Sequence, residues 1–166
     1  MRAKRALATI VCSVALFGGA GPADAEDLAG SDQSVTLSPG VLDLLRQEMR
    51  EISGAVQRIP LALASGDWKV IEDTSAAIRT SYILEKALTP SQARELEHAL
   101  PERFKRLDSE FHHRAGALEL AAGARDFEVA VFHYSRLLES CVWCHSEYAG
   151  SRFPGLAPPA QAEHKH

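Results

Sequence analysis

The sequence predicts an all-α protein folded as an antiparallel four-helix bundle. Three observations predict it. Apolar residues recur at helical spacing along four long segments. Almost nothing alternates with the period of a strand. The links between segments are short except for one, and short links favour antiparallel neighbours. The bundle is expected over residues 38–149, between an N-terminal arm (26–37) and a C-terminal tail (150–166), both flexible.

Each helix has its own signals. Ser38-Pro39 reads as an N-cap followed by proline at the first helical position. Val41, Leu42, Leu45, Met49, Ile52, Val56 and Ile59 then form one stripe, and Pro60 is expected to end or kink the helix. Gly66-Asp67 restarts the chain. Trp68, Ile71, Ser75, Ile78 and Tyr82 make a second stripe, which predicts a helix running to about Leu88. Thr89-Pro90 is another cap and first-turn pair, opening a short helix from Ser91 to about Ala99. Pro101 begins a third long helix, with Phe104, Leu107, Phe111, Ala115, Leu118 and Ala122 on one face and Gly123 as its stop. Asp126 caps the fourth, which runs to about Tyr148 before Gly150, Pro154, Gly155, Pro158 and Pro159 break the pattern.

The first 25 residues are expected to be removed. Arg2, Lys4 and Arg5 precede an apolar run from Ala6 to about Ala20, and Ala23-Asp24-Ala25 is an A-x-A cleavage pattern. That order describes a secretory signal peptide over residues 1–25. The apolar run falls short of the roughly 20 residues a spanning helix needs. Thr9-Ile10-Val11-Cys12 lacks the small residues of a lipoprotein site, so Cys12 leaves with the signal. The mature chain, Glu26 to His166, carries 15 Lys and Arg against 21 Asp and Glu, a net charge of −6. A mildly acidic chain without a basic face argues against nucleic acid as a partner. No later stretch is apolar enough for stable membrane insertion.

Two cysteines remain, in Cys141-Val142-Trp143-Cys144-His145, which fits the C-x-x-C-H pattern of covalent haem attachment. The chemistry accounts for each residue. Two thiols add to the two vinyl groups of one haem. Positions three apart on a helix share a face, so both sulfurs reach one edge of the macrocycle. The adjacent imidazole falls within the same arc of about 100° and reaches the iron. A thioredoxin-like pair expects a βαβ setting, a structural zinc site needs four ligands, and a plain disulfide leaves the histidine and the export signal without a role. Ala130, His133, Tyr134, Leu137, Leu138 and Tyr148 share the arc of Cys141, Cys144 and His145, giving a mostly apolar strip that serves equally as ordinary core or as a bed for a flat macrocycle.

With this motif near the end of its last helix, the chain resembles the class II c-type cytochromes, which include the cytochromes c′ and their low-spin relatives. The resemblance covers about Leu37 to Tyr148. It implies one haem c bound through Cys141 and Cys144, His145 as proximal iron ligand, a periplasmic location in a bacterium and, in many members, a homodimer. In that family the sixth iron position faces the first helix. Low-spin members place a methionine there; high-spin members leave the iron open. Here Arg46-Gln47, a pair common in that helix of the family, precedes Met49.

Met49 therefore has two readings: a gap-filling core residue, or the distal iron ligand. His133 is either a satisfied, partly buried histidine or a neighbour of the haem edge. His112, one turn after Asp108, suits a surface ion pair, with metal ligand or proton relay as the sharper alternative. His113 is expected in solvent, and His164 and His166 lie in the tail. Arg114, Arg125 and Arg136 are candidate propionate partners. Nothing in the sequence forms an acid–base pair or a nucleophile constellation, so an enzyme is not expected. The leading expectation is a one-electron carrier working with redox partner proteins. The alternative is a high-spin, cytochrome c′-type protein that binds nitric oxide or carbon monoxide. A haem that merely stabilises the bundle is the third.

Overall fold

A computed structural model describes residues 35–156 of the protein. The expected signal peptide (1–25), with Cys12, most of the N-terminal arm, and residues 157–166, with His164 and His166, lie outside the described residues. Among those described the chain is all-helical, without a strand. Its helices are α1 (Pro39–Ser65), α2 (Trp68–Arg79), α3 (Leu84–Ala87), α4 (Pro90–Ala99), α5 (Glu102–Gly123) and α6 (Phe127–Tyr148), followed by a 3₁₀ turn, Pro154–Leu156. None of them is long and apolar enough to cross a membrane.

Local chemistry explains most boundaries. Gly66 ends α1 in the left-handed region, φ 69°, where a residue without Cβ is unstrained. Asp67 caps α2 by accepting from the Val70 N–H, and Asp126 caps α6 through the Val129 N–H. Thr89 and Gln92 form a full capping box at α4. Ser38 occupies the cap position of α1, but its hydroxyl and its N–H both donate to the Glu95 carboxylate of α4.

Two boundaries differ from the sequence expectation. Pro60 does not end α1, which continues to Ser65. Proline at position 60 removes the N–H that would bond the Val56 carbonyl. Tyr134 Oη of α6 lies 3.5 Å from that carbonyl and donates to it. The second helix stops at Arg79 and does not run to Leu88. Ser81 turns the chain at φ 59°. Beyond the stop, the N–H groups of Tyr82, Ile83 and Leu84 donate to the Glu48 carboxylate. Before it, the Ile78 carbonyl accepts from His112 Nδ1 at 2.7 Å. Tertiary partners on both sides replace the bonds that a longer helix would make.

Successive long helices run antiparallel. Glu72 lies near Gly123, while Ile78 meets His112, so α2 descends along α5. Arg103 pairs with Glu147 and Arg114 with Glu139, so α6 descends along α5. The core gathers Ala55, Ile59, Ala62 and Leu63 of α1, Ile71 and Ile78 of α2, Ala115, Leu118, Ala121 and Ala122 of α5, and Ala130 and Leu137 of α6. α5 packs closely against both α2 and α6, whereas α1 and α6 touch sparsely. At about 1.5 Å per residue, the 27-residue α1 is roughly twice as long as the 12-residue α2. The half of α1 from Pro39 to about Ile52 therefore extends past the end of its partner.

Candidate functional site

The cysteines and histidine of the motif sit in the last two turns of α6. These turns carry no fully buried side chain beyond Ser140, and all three motif residues are half-buried. Both thiols are free. Cys141 Sγ is 3.6 Å from the Leu137 carbonyl. Burial raises the Cys141 thiol above its ordinary range. Burial, with the Asp108, Cys141 and Glu147 charges adding, pushes Cys144 up to about 11. Both are thus protonated thiols at neutral pH, in a partly apolar setting. No group of three or more His, Cys, Asp and Glu side chains converges among the described residues.

His145 stacks flat on Phe153, with centroids 4.3 Å apart and planes 6° apart. Burial first, and then the nearby Arg152 charge, lower its pKa, which favours the neutral imidazole. Phe153 belongs to residues 150–156, which the sequence assigned to the tail. These fold back instead, with the Arg152 and Phe153 N–H groups donating to the Ala149 carbonyl. One turn after Cys144, Tyr148 meets Phe104 of α5 edge to face at 5.0 Å. Its buried Oη has no hydrogen-bond partner, and burial, with the Glu147 carboxylate beside it, pushes the phenol up to about 12.

Met49 lies at the edge of the core, 39% exposed. At about 100° per residue it falls within about 20° of Val56, whose carbonyl meets Tyr134 of α6. Met49 is thus on the α6-facing edge of α1. The antiparallel register set by Val56 and Tyr134 brings Met49, seven residues before the first, to the level of Cys141, seven residues after the second. Met49 is only partly enclosed, and Leu138 and Val142 of α6 are likewise exposed.

The other candidates resolve into ordinary partners. His112 donates from Nδ1 to the Ile78 carbonyl and holds Nε2 3.6 Å from Asp108, so it is a clamp between α2 and α5. His133 is half-buried against Phe132, and His113 is exposed. Arg114 bonds Glu110, Glu139 and the Arg136 carbonyl, and Arg136 bonds Glu139 and lies over Phe132. Arg125 sits in the tight α5–α6 turn at φ 54°. Sequence reasoning missed Glu48 and Phe153. The signal for Glu48 was an acid inside the apolar arc of α1, four residues before Ile52; Phe153 carried none.

No protein-family model, no curated protein and no solved structure matches the chain.

Proposed function

We propose that the chain is a periplasmic mono-haem c-type cytochrome that carries one electron at a time, with its four long helices forming an antiparallel bundle around the haem. The observation that carries this reading is Cys141, Cys144 and His145 on α6, with both thiols free, beside a sparsely packed seam with α1. The donor set fits a haem. Two thiols three residues apart suit two vinyl groups, and an adjacent neutral imidazole suits the iron. Tyr148, one turn after Cys144 on the same stretch of α6, is a phenol donor that a propionate could engage.

When bound, the haem supplies an iron that cycles between two oxidation states. The residues of this chain do the rest. Cys141 and Cys144 would tether the group covalently, and His145 would ligate its iron from α6. Phe153 fixes the plane of the His145 ring, the outer-shell role that orients a metal-binding histidine. Met49 of α1 would offer a soft thioether ligand, which would favour the reduced iron and raise the potential. With both His145 and Met49 held to the group, these residues would exclude a gas or substrate, which suits transfer to redox partner proteins.

The test is spectroscopic. Protein produced with a haem-attachment system should keep its colour through denaturation and acid–acetone extraction, and its mature N-terminus should be Glu26. His145→Ala should keep the thioethers and change the spectrum. Complete extraction of the colour would refute the attachment through Cys141 and Cys144.

A further inference from the structure

Glu48 is 2% exposed, among the most enclosed side chains of the described residues. A carboxylate is rarely buried without a cationic partner, because losing its hydration is costly. Here the compensation is backbone. Glu48 Oε1 accepts from the Tyr82 N–H at 2.9 Å, and Oε2 from the Ile83 and Leu84 N–H groups at 2.5 and 3.1 Å. Apolar residues would pack the inside of α1 without such an arrangement, so the acid has a task that packing does not perform.

Its position suggests the task. The N-terminal half of α1 projects past the end of α2 and has two polar fasteners. One is Ser38, bonded to Glu95 of α4 at the start of the helix. The other is Glu48, bonded to the Tyr82–Leu84 segment in its middle. Greasy packing tolerates a helix turning about its axis, because apolar contacts are non-directional. Three hydrogen bonds to a fixed backbone do not. Met49 is the next residue, about 100° further round the helix. Holding Glu48 toward Tyr82–Leu84 holds Met49 on the edge that faces α6. A rotation of about 30° at a side-chain radius of about 6 Å would carry the sulfur roughly 3 Å, beyond the roughly 0.5 Å within which a ligand must be held.

We propose that Glu48 is a positioning residue: by binding the backbone of Tyr82, Ile83 and Leu84, it sets the rotation of α1 that presents Met49 to the iron. This rests on the reading of Met49 as sixth ligand. The haem-loaded wild type is compared with Glu48→Ala and Glu48→Gln by absorption spectrum, carbon monoxide association and amide exchange at Ile83. The wild type should be low-spin, slow to bind carbon monoxide and protected at Ile83. Glu48→Ala should lose that protection, become largely high-spin and bind carbon monoxide roughly tenfold faster. Glu48→Gln keeps one acceptor oxygen and should fall between. A folded Glu48→Ala protein with wild-type spectrum and association rate overturns the proposal, even if its stability falls. Should that variant not fold, the same result in Glu48→Gln overturns it. A high-spin wild type strikes Met49 as ligand and this proposal with it.

Discussion

His112 offers the sharpest check on the fold, because its contribution changes with pH in a definite direction. Its Nδ1 donates to the Ile78 carbonyl at 2.7 Å and its Nε2 lies 3.6 Å from Asp108. The Asp108 carboxylate beside it, the Ile78 carbonyl and the more distant Glu48 charge raise its pKa, and burial opposes them less strongly. A group whose pKa is raised on folding stabilises the fold fully below its unfolded value of about 6.5. That contribution fades as pH rises through the folded value. The neutral ring still donates to Ile78 but turns a lone pair toward the Asp108 carboxylate. A hydrogen bond made by a charged group is worth about 1.5–3 kcal/mol and a neutral one about 1 kcal/mol. His112→Ala should therefore cost about 2 kcal/mol near pH 5.5 and about 1 kcal/mol near pH 8.5. At an m value of about 2 kcal/mol per molar urea, the midpoint should fall by roughly 1 M at the lower pH and half that at the higher. His112→Gln, which donates but does not titrate, should lose less at both pH values while showing the same drop in that loss across the range. A loss that stays flat, or grows with pH, would refute the clamp.

Other outcomes follow from burial and from the site. Met49→Ala should convert a low-spin protein into a high-spin one that binds carbon monoxide readily, with a lower reduction potential; potentiometry and a reduced-plus-gas spectrum check both. If the wild type is already high-spin, the gas-binding reading replaces the electron carrier, and Met49 is an edge residue beside an open pocket. Leu137, fully enclosed in the core, should cost about 2–5 kcal/mol as Leu137→Ala in urea unfolding, whether or not the haem is attached.

Most of the helices were legible because their signals are local. Asp67, Thr89 and Asp126 cap the helices they precede, and Gly66 takes the left-handed turn that only its own type adopts without strain. The misreadings share a cause. Pro60 carries the strongest local stop signal in α1, yet the helix continues, with Tyr134 seventy-eight residues away offering a donor to the stranded carbonyl. The stripe from Trp68 to Tyr82 has no local stop, yet α2 ends at Arg79, between His112 and Glu48, more than thirty residues off on either side. Ring stacking of Phe153 on His145 depends on a fold-back through the Ala149 carbonyl, which Gly and Pro in that stretch disguised as a tail. At the site, the motif names its three residues from covalent chemistry alone. For Met49 the sequence offered two readings, and the structure adds its place at the helix edge, since a stripe cannot separate a helix edge from its centre by periodicity when only one residue decides.

The distribution of the core argues which end of the molecule is finished by protein alone. Every member of the main apolar cluster lies at the end holding the Gly66 and Arg125 turns or near mid-helix, from Ala55 to Leu63, Ile71 to Ile78, Ala115 to Ala122 and Ala130 to Leu137. Toward the opposite end, α5 before Ala115 has no fully buried residue, nor does α6 after Ser140, and α1 contributes Val41, Glu48 and Ile52. That thin end carries Cys141, Cys144 and His145. A large flat cofactor tethered there would complete the packing, and its attachment would stabilise this half selectively, since a group that binds only the folded state shifts the local opening equilibrium. Amide exchange should therefore divide the haem-free chain. Leu118, Ala122 and Leu137 should remain protected, while Phe104–Phe111 and Cys144–Tyr148 exchange rapidly. Attachment should slow the second group by far more than the first. Uniform protection in the haem-free chain would mean that the motif end packs without a cofactor, and the bundle would then have no structural need for one.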